Sequence, residues 1–299
     1  MIPREVLANP AAVLALAEQV CPSLNGAASF RLAGFLEATG ADLAAAELTE
    51  FSATREALEA LDASRTEHWR QELRALAAHI VTVLDEGYPA NLRMIHDHPP
   101  FLFVRGSLEA GDDRAIAVVG TRKPSPEGML AAREIASQLA RRNVTVVSGM
   151  ATGIDAAAHA GAISSGGRTL AVFGTGISRV YPAGNAALSR AISNSGATLS
   201  QFWPDMAPSR WSFPVRNIVT SGLSLGTVVV EAGPTSGARQ QAEHAIRHGK
   251  RLFLLHRLVE DQPWAQDLVG TPGVVATDDI DEILAAVQFE LDLQADVLV

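Results

Sequence analysis

The chain has 299 residues, 47% of them hydrophobic and 19% charged, which indicates about two domains at roughly 150 residues each. The apolar fraction excludes wholesale disorder, and the single cysteine, Cys21, excludes an internal disulfide framework. The first residues lack the basic-then-apolar order of a signal peptide, and no stretch reaches the ~20 apolar residues of a membrane helix. We therefore expect a cytoplasmic protein with no membrane partner.

The net charge of −9 is unevenly distributed along the chain. Residues 1–113 carry −9, residues 114–217 carry +7 and residues 218–299 carry −7. A basic middle third between acidic flanks is typical of a polyanion-binding module. A chance cluster of surface arginines would give the same balance, so charge alone leaves both interpretations open.

Residues 1–79 are rich in Ala, Leu and Glu, with apolar residues at helical spacing. This pattern predicts a small helical amino-terminal domain. We interpret it as a structural cap rather than a DNA-contacting module because it is acidic. Residues 80–84 and 99–106 then form the first two predicted extended segments.

Six short apolar runs follow, and stretches of helical length separate most of them. The runs are residues 115–119, 144–147, 170–173, 198–199, 227–230 and 252–255, and the stretches are residues 127–140, 154–163, 185–192 and 238–248. Runs without polar alternation are typical of strands buried on both faces. The alternation predicts an α/β fold, a Rossmann-like, mainly parallel sheet with helices on both faces, over residues 80–287. Residues 288–299 are predicted to be a tail.

Glycine-bearing loops follow the first three of these runs, at residues 120–124, 148–153 and 174–179. In a parallel sheet such loops meet at the carboxyl edge of the strands, where ligands bind. Glycine lets the backbone approach a phosphate, and helix amino-termini offer free N–H groups. Gly174 and Gly176 lack the third glycine of a dinucleotide fingerprint, so no cofactor is predicted. The alternative is that these glycines merely permit tight turns.

Residues 201–217 combine aromatic and basic side chains. Four of the sixteen aromatic residues lie there, interleaved with two arginines: Phe202, Trp203, Arg210, Trp211, Phe213 and Arg216. Bases stack on aromatic faces, each for about 1–3 kcal/mol, while arginines neutralise phosphates. Aromatic side chains are usually buried, and we predict that Phe202 belongs to the core. We predict that Phe213 and Arg210, by contrast, are exposed.

Six motifs follow one another along residues 80–250: residues 120–124 (Gly-Thr-Arg-Lys-Pro), 147–159, 176–182, 213–217 (Phe-Pro-Val-Arg-Asn), 221–224 and 229–232 (Val-Val-Glu-Ala). In this order and spacing they resemble the signatures of the DprA/Smf family. Members of that family are cytoplasmic bacterial proteins that bind single-stranded DNA and help to load the RecA recombinase during natural transformation. The resemblance therefore implies DNA processing without catalysis, a RecA-type partner and a homodimer.

The resemblance also implies a DNA site at particular residues. It places the site on Arg122, Ser148, Gly149, Arg210, Phe213, Arg216 and Asn217, and the basic loop residues Lys123 and Arg179 complete the predicted set. The sequence departs from the family at Ile218, at residues 236–242 and in having no carboxyl-terminal winged helix. The resemblance consequently supports DNA binding more strongly than it supports RecA loading or a dimer interface.

Other kinds of site find less support. Asp155 and His159 lie four residues apart, which is suitable for proton transfer, but a hydrogen-bonded structural histidine is the simpler interpretation. Residues 96–98 (His-Asp-His) and the pair His244 and His248 have suggestive spacing without a zinc motif. No catalytic residue and no metal site are predicted.

The rival hypothesis is a Rossmann-like nucleotide sensor or a phosphoribohydrolase-like enzyme. Residues 222–231 resemble the Gly-Gly-x-Gly-Thr-x-x-Glu segment of phosphoribohydrolases. However, Leu223 and Ser224 stand where the paired glycines belong, and Glu231 arrives one residue late. Hydrolysis is therefore disfavoured, while binding of a small nucleotide in the crevice at residues 174–179 stays an alternative to DNA.

Overall fold

The computed structural model describes residues 71–297, apart from residues 72, 84, 100 and 203. The helical domain predicted for residues 1–79 therefore lies almost entirely outside the described residues, as does Trp203. Among the described residues, no helix combines the length and the apolar character needed to cross a membrane.

The described residues build one sheet with helices on both faces. Its strands, β1 to β9, are Ala78–Thr82, Phe101–Gly106, Ala115–Val119, Thr145–Ser148, Thr169–Val172, Ala197–Ser200, Gly226–Val229, Arg251–Leu254 and Val274–Ala276. The helices after β1, α1 to α9, are Ala90–Arg93, Pro126–Arg141, Ile154–Ser164, Ala186–Ser195, Ser212–Gly222, Gly237–Arg247, His256–Asp261, Pro263–Gln266 and Ile280–Val297. Two 3₁₀ turns lie at Ala110–Asp113 and Ala183–Asn185.

The strand order is β1-β2-β6-β5-β4-β3-β7-β8-β9. In this order, all neighbouring strands from β6 through β5, β4, β3, β7 and β8 to β9 are parallel. Strand β2 is antiparallel to both of its neighbours, β1 and β6. The predicted Rossmann-like, mainly parallel α/β fold is thus confirmed. The chain moves outward from β3 to β6 and then returns to the other side of β3 with β7. The β3–β7 boundary is therefore the switch in strand order, where open α/β sheets bind ligands.

The two faces of the sheet bury alternate residues of the same strands. On one face, Ala115 and Ala117 of β3 join the core beneath α1, α4 and α5. On the other face, Ile116 and Val118 join the core beneath α2, α3 and α9. This two-sided burial explains why the strand runs carry no polar alternation.

The structure differs from the predicted boundaries in four places. Strand β1 begins at Ala78, since Ala78–Thr82 pairs with β2, so the predicted strand at 80–84 is displaced. Helix α5 and strand β9 were not predicted, and helix α9 extends through most of the segment set apart as a tail. In α5, Pro214 lies in the first turn, where its missing N–H leaves no helical hydrogen bond unmade.

Helices α2 and α3 approach closely at a glycine, which yields a stability prediction. A Cβ on Gly161 would lie 3.0 Å from Arg133 Cα of α2, so Gly161→Ala forces the helices apart. We expect the free energy of unfolding to fall by about 1–3 kcal/mol in urea denaturation. The control is Gly111→Ala, where a Cβ meets no atom within 4 Å. Equal unfolding midpoints for the two variants would contradict the close packing.

Candidate functional site

A cavity of about 340 Å³ opens at the carboxyl edge of the sheet, at the switch between β3 and β7. The loop after β3 lines one wall with Arg122 and Lys123. The first turns of α5 and α6 form the other walls. The cavity therefore lies where the topology predicts a ligand site.

The start of α5 is fixed by two serines. The Ser212 N–H donates to Ser209 Oγ at 3.2 Å, and the Ser209 N–H donates to Ser212 Oγ at 3.3 Å. The buried Ser212 hydroxyl also donates to Gly174 O at 2.5 Å, which anchors the helix on the loop after β5. The Ser209 hydroxyl thus satisfies the N–H of Ser212, one of the N–H groups that a helix start leaves unpaired. It thereby sets the direction in which the first turn presents Phe213.

Phe213 forms the centre of a small stack. Its half-buried ring covers Gly174, where a Cβ would collide with it. The exposed Arg122 guanidinium carbon lies 5.2 Å from the ring centroid, and the ring of Tyr181 lies 5.7 Å away. Arg122 and Phe213 line both the cavity at the β3–β7 switch, called the main cavity here for its position rather than its size, and a neighbouring one of about 80 Å³ that includes Tyr181. A cation and two aromatic faces thus share one surface.

Arg216 lies beneath this stack, nine-tenths buried. Its Nη1 donates to Val172 O at 2.7 Å and its Nε donates to Asn217 Oδ1 at 3.1 Å. A Cβ on Gly149 would overlap both the Arg216 guanidinium and the Asp155 carboxylate, so glycine is required there. Burial lowers the pKa of Arg216 and raises the pKa of Asp155, and the attraction between the two groups opposes both shifts.

Asn217 connects α5 to the amino-terminus of α6. Its Nδ2 donates to Gly237 O at 3.2 Å. Ser236 caps α6 by accepting the Arg239 N–H at 3.2 Å, and Ser236, Gly237 and Ala238 all line the cavity. The positive end of the α6 dipole therefore faces the same space as the arginines, which favours an anion there.

The amino-terminus of α2, by contrast, is already filled by a carboxylate. Glu231, in the loop after β7, accepts the Ser125 N–H at 3.0 Å and the Ser125 hydroxyl at 2.9 Å. A Cβ on Gly128 would overlap the same carboxylate. In dinucleotide-binding Rossmann domains the phosphates occupy this helix end. Here a side chain of the protein takes that place.

The crevice predicted at residues 174–179 is closed. The Gly176 N–H donates to Met206 O at 3.0 Å and the Ser178 N–H donates to Pro204 O at 2.9 Å. Because these loop amides bind the segment 204–206 and Phe213 covers Gly174, the crevice does not present N–H groups for a nucleotide.

The structure brings together five of the nine predicted site residues. Arg122, Lys123, Phe213, Arg216 and Asn217 line the main cavity. Phe213 is half-buried rather than exposed, whereas Arg210 is exposed and Phe202 is buried, as predicted.

The other four lie apart from the cavity lining. Ser148 is fully buried and donates to Val118 O, and Gly149 makes room beneath for Arg216. Arg179 is exposed and donates to Asp205 O at 2.5 Å, and Arg210 faces solvent beside the cavity's helix. Sequence reasoning missed Tyr181 and the α6 amino-terminus, which only the folded chain brings to the site.

Asp155 and His159 do not form a proton-transfer pair. The fully buried His159 contacts Gly149 O through Nε2 at 2.6 Å and Thr169 Oγ1 through Nδ1 at 2.7 Å. Burial lowers its pKa to about 4, so the ring is neutral at pH 7, with Nε2–H donating to Gly149 O. The interpretation of His159 as a structural residue therefore agrees with its contacts.

The fold and this site define a Rossmann-like protein with a basic, aromatic cavity at the switch in strand order. The sequence model of the family described as DNA recombination-mediator protein A matches residues 79–286, and the chain belongs to that family.

Two curated relatives illustrate the similarity. The chain is 37% identical over 174 residues to DNA processing protein DprA of Streptococcus pneumoniae, covering 58% of this chain and 61% of that protein. It is 36% identical over 219 residues to Protein Smf of Escherichia coli, covering 71% of this chain and 58% of that protein. The matched region thus spans about three fifths of the length of these relatives.

Two solved structures are similar across most of their length. DprA of Streptococcus pneumoniae superposes with a TM-score of 0.69 at 27% identity, covering 95% of this chain and 93% of that one. The single-stranded-DNA-binding DNA processing protein A of Helicobacter pylori superposes with a TM-score of 0.60 at 25% identity, covering 73% of this chain and 97% of that one.

The buried His159 predicts an acid-sensitive fold. The unfolded chain takes up a proton near pH 6.5, whereas folded His159 does so only at about pH 4. The free energy of unfolding should therefore fall as the pH drops below 6.5, by about 2 kcal/mol between pH 7 and pH 5. In His159→Gln this part of the decrease should vanish, while His244, whose pKa burial lowers to about 4, contributes equally to both chains. Identical pH profiles in denaturation would contradict the assignment.

Proposed function

We propose that this chain binds single-stranded DNA in the cavity and across the adjoining surface formed by Arg122, Phe213 and Tyr181. The observation that carries the proposal is the Arg122 guanidinium 5.2 Å above the Phe213 ring. This arrangement offers a cation to a phosphate and a π face to a base within one nucleotide's reach. Arg216 adds a second, fixed positive charge from below.

Charge and exposed aromatic surface support a polymer as the ligand. Arg122, Phe213 and Arg216 line both cavities, so the two cavities are adjacent and share one wall. Two further exposed cations are close by: Lys123 lines the main cavity, and Arg210 lies two residues before the start of α5. Stacking on side chains requires unpaired bases, which favours a single strand over a duplex.

Two observations disfavour the rival hypothesis of a small-nucleotide sensor. Glu231 occupies the α2 amino-terminus, and the loop at 174–179 donates its amides to residues 204–206. A mononucleotide would therefore find neither the phosphate site of a Rossmann dinucleotide fold nor the predicted crevice. The α6 end of the cavity stays open to an anion, and a phosphate of the DNA backbone fits that role.

A role in recombination follows from family membership together with this site. The family is that of DNA recombination-mediator protein A, and the Helicobacter pylori relative binds single-stranded DNA. We infer that the DNA-bound chain serves a RecA-type recombinase in DNA processing and natural transformation, as a homodimer in the cytoplasm. A non-catalytic role is supported by the commitment of Ser148 and His159 to buried structural hydrogen bonds.

The first test removes the stack one side at a time. We expect Arg122→Ala and Phe213→Ala each to weaken binding of a labelled single-stranded oligonucleotide by roughly 5- to 150-fold, equivalent to about 1–3 kcal/mol. Fluorescence anisotropy at fixed salt measures the effect. Arg142→Ala and Phe289→Ala are matched controls, because Arg142, at the end of α2, pairs with Asp281 of α9, and Phe289 is an exposed ring on α9. If the controls weaken binding as much as the site variants, DNA binds elsewhere.

The second test distinguishes a polymer from a monomer. Binding should weaken linearly on a logarithmic salt scale, and Lys123→Ala should reduce that slope by about 0.7 if Lys123 contacts one phosphate. Unlabelled homopolymer should displace the labelled oligonucleotide, whereas equal concentrations of mononucleotides should not. Displacement by one mononucleotide at a concentration comparable to the homopolymer would instead support the sensor hypothesis.

A further inference from the structure

Three metal-ligating side chains meet at the carboxyl-terminal end of α6, the end opposite the cavity. The sequence placed His96 and Asp97 in one suggestive segment and His248 in another, about 150 residues away, and the fold joins them. One potential ligand atom from each lies within 4.8 Å of the other two. This convergence of two histidines and a carboxylate has no part in the cavity described above.

The contact between His248 and Asp97 has the character of a chelating pair. His248 Nε2 lies 2.9 Å from Asp97 Oδ1. The two atoms are nevertheless not aligned for a hydrogen bond, and neither finds another hydrogen-bond partner among the described residues, although both are buried. A cation bound to both atoms at about 2.0–2.2 Å would satisfy the two buried groups together.

The surroundings prepare His248 for this role. Its Nδ1 lies 2.9 Å from Ser221 Oγ. With Nδ1–H donating to that hydroxyl, Nε2 is left with its lone pair facing Asp97, which is the outer-shell arrangement usual for metal-bound histidine. His248 also caps the end of α6, where the helix dipole favours a positive charge.

The neighbouring His244 is excluded from the ligand set. Arg247 Nη2 lies 2.7 Å from His244 Nδ1, so that nitrogen accepts a hydrogen bond from the guanidinium. His96, by contrast, is free to adjust, because 64% of its side chain is exposed. It approaches Asp97 from the solvent side and its ring lies 5.6 Å from that of His248.

We propose that His96, Asp97 and His248 bind one Zn²⁺ ion, with a water molecule in the fourth position. Imidazole nitrogen and carboxylate oxygen are the donors that Zn²⁺ takes at about 2.0–2.2 Å in tetrahedral sites with three protein ligands. Closing the three ligand atoms around an ion requires only a shift of the exposed His96 ring and small adjustments elsewhere. The ion would tether the segment after α1 to both α5, through Ser221, and α6.

The test measures metal binding directly, on the full chain without a polyhistidine tag. Titration of Zn²⁺ against a chromophoric chelator should reveal one tight equivalent, and Co²⁺ in its place should show the intense visible bands of a tetrahedral site. His96→Ala and Asp97→Asn should each weaken binding by at least about tenfold. Zn²⁺ should raise the melting temperature of the native chain and not that of His96→Ala.

His256→Ala is the matched control. His256 Nδ1 also lies 3.2 Å from an aspartate oxygen, that of Asp278, but no third ligand of the described residues joins that pair. Its loss should leave zinc binding unchanged. The proposal is overturned if the native chain binds no tight equivalent, or if His96→Ala binds Zn²⁺ as tightly as the native chain. Since His96 is exposed, its replacement leaves the core intact, and circular dichroism verifies this.

Discussion

The buried Arg216 is the constraint around which the candidate site is organised. Removing a guanidinium from water is costly, and the structure offsets that cost with Val172 O, the Asn217 amide and the nearby Asp155 carboxylate. These partners dictate their neighbours: position 149 must be glycine, and Asn217 links α5 to α6. A positive charge held in this way cannot swing aside, so the electrostatic field at the cavity floor is fixed before any ligand arrives.

Above that floor, the exposed and the half-buried parts of the site have different roles. Arg122 is exposed and sits on a loop, whereas Phe213 is held by the capped start of α5 against Gly174. A rigid aromatic platform loses little side-chain entropy when a base stacks on it, while a flexible arginine can follow phosphates of varying position. Such a division suits a ligand whose sequence is not read.

The sequence predicted the sheet and most of the site because its signals were local. Unalternating runs marked the buried strands, and loops such as 120–124 lie where parallel topology brings them. Helix α5 was not predicted because the aromatic residue and the proline in its first turn obscure the helical spacing of apolar residues. Its start also depends on hydrogen bonds between Ser209 and Ser212, which the sequence pattern does not reveal. The histidine cluster escaped because His96 and His248 come together only through tertiary packing. The resemblance placed Ser148 in the DNA site, but this residue ends strand β4 and its side chain is fully buried.

The carboxylate of Glu231 at the start of α2 acts as a built-in competitor. Ser125 is 106 residues away along the chain, but the pairing of β7 with β3 places Glu231 directly beside it. Even a short flexible linker would give an effective concentration in the millimolar range. Glu231 is better organised than that, because Ser125 binds it through both its N–H and its hydroxyl. Free nucleotides would have to displace a partner that never diffuses away. For the proposed function this means that a small phosphate meets a filled helix end at α2, while the basic face around Arg122 and Lys123 stays open to a polymer.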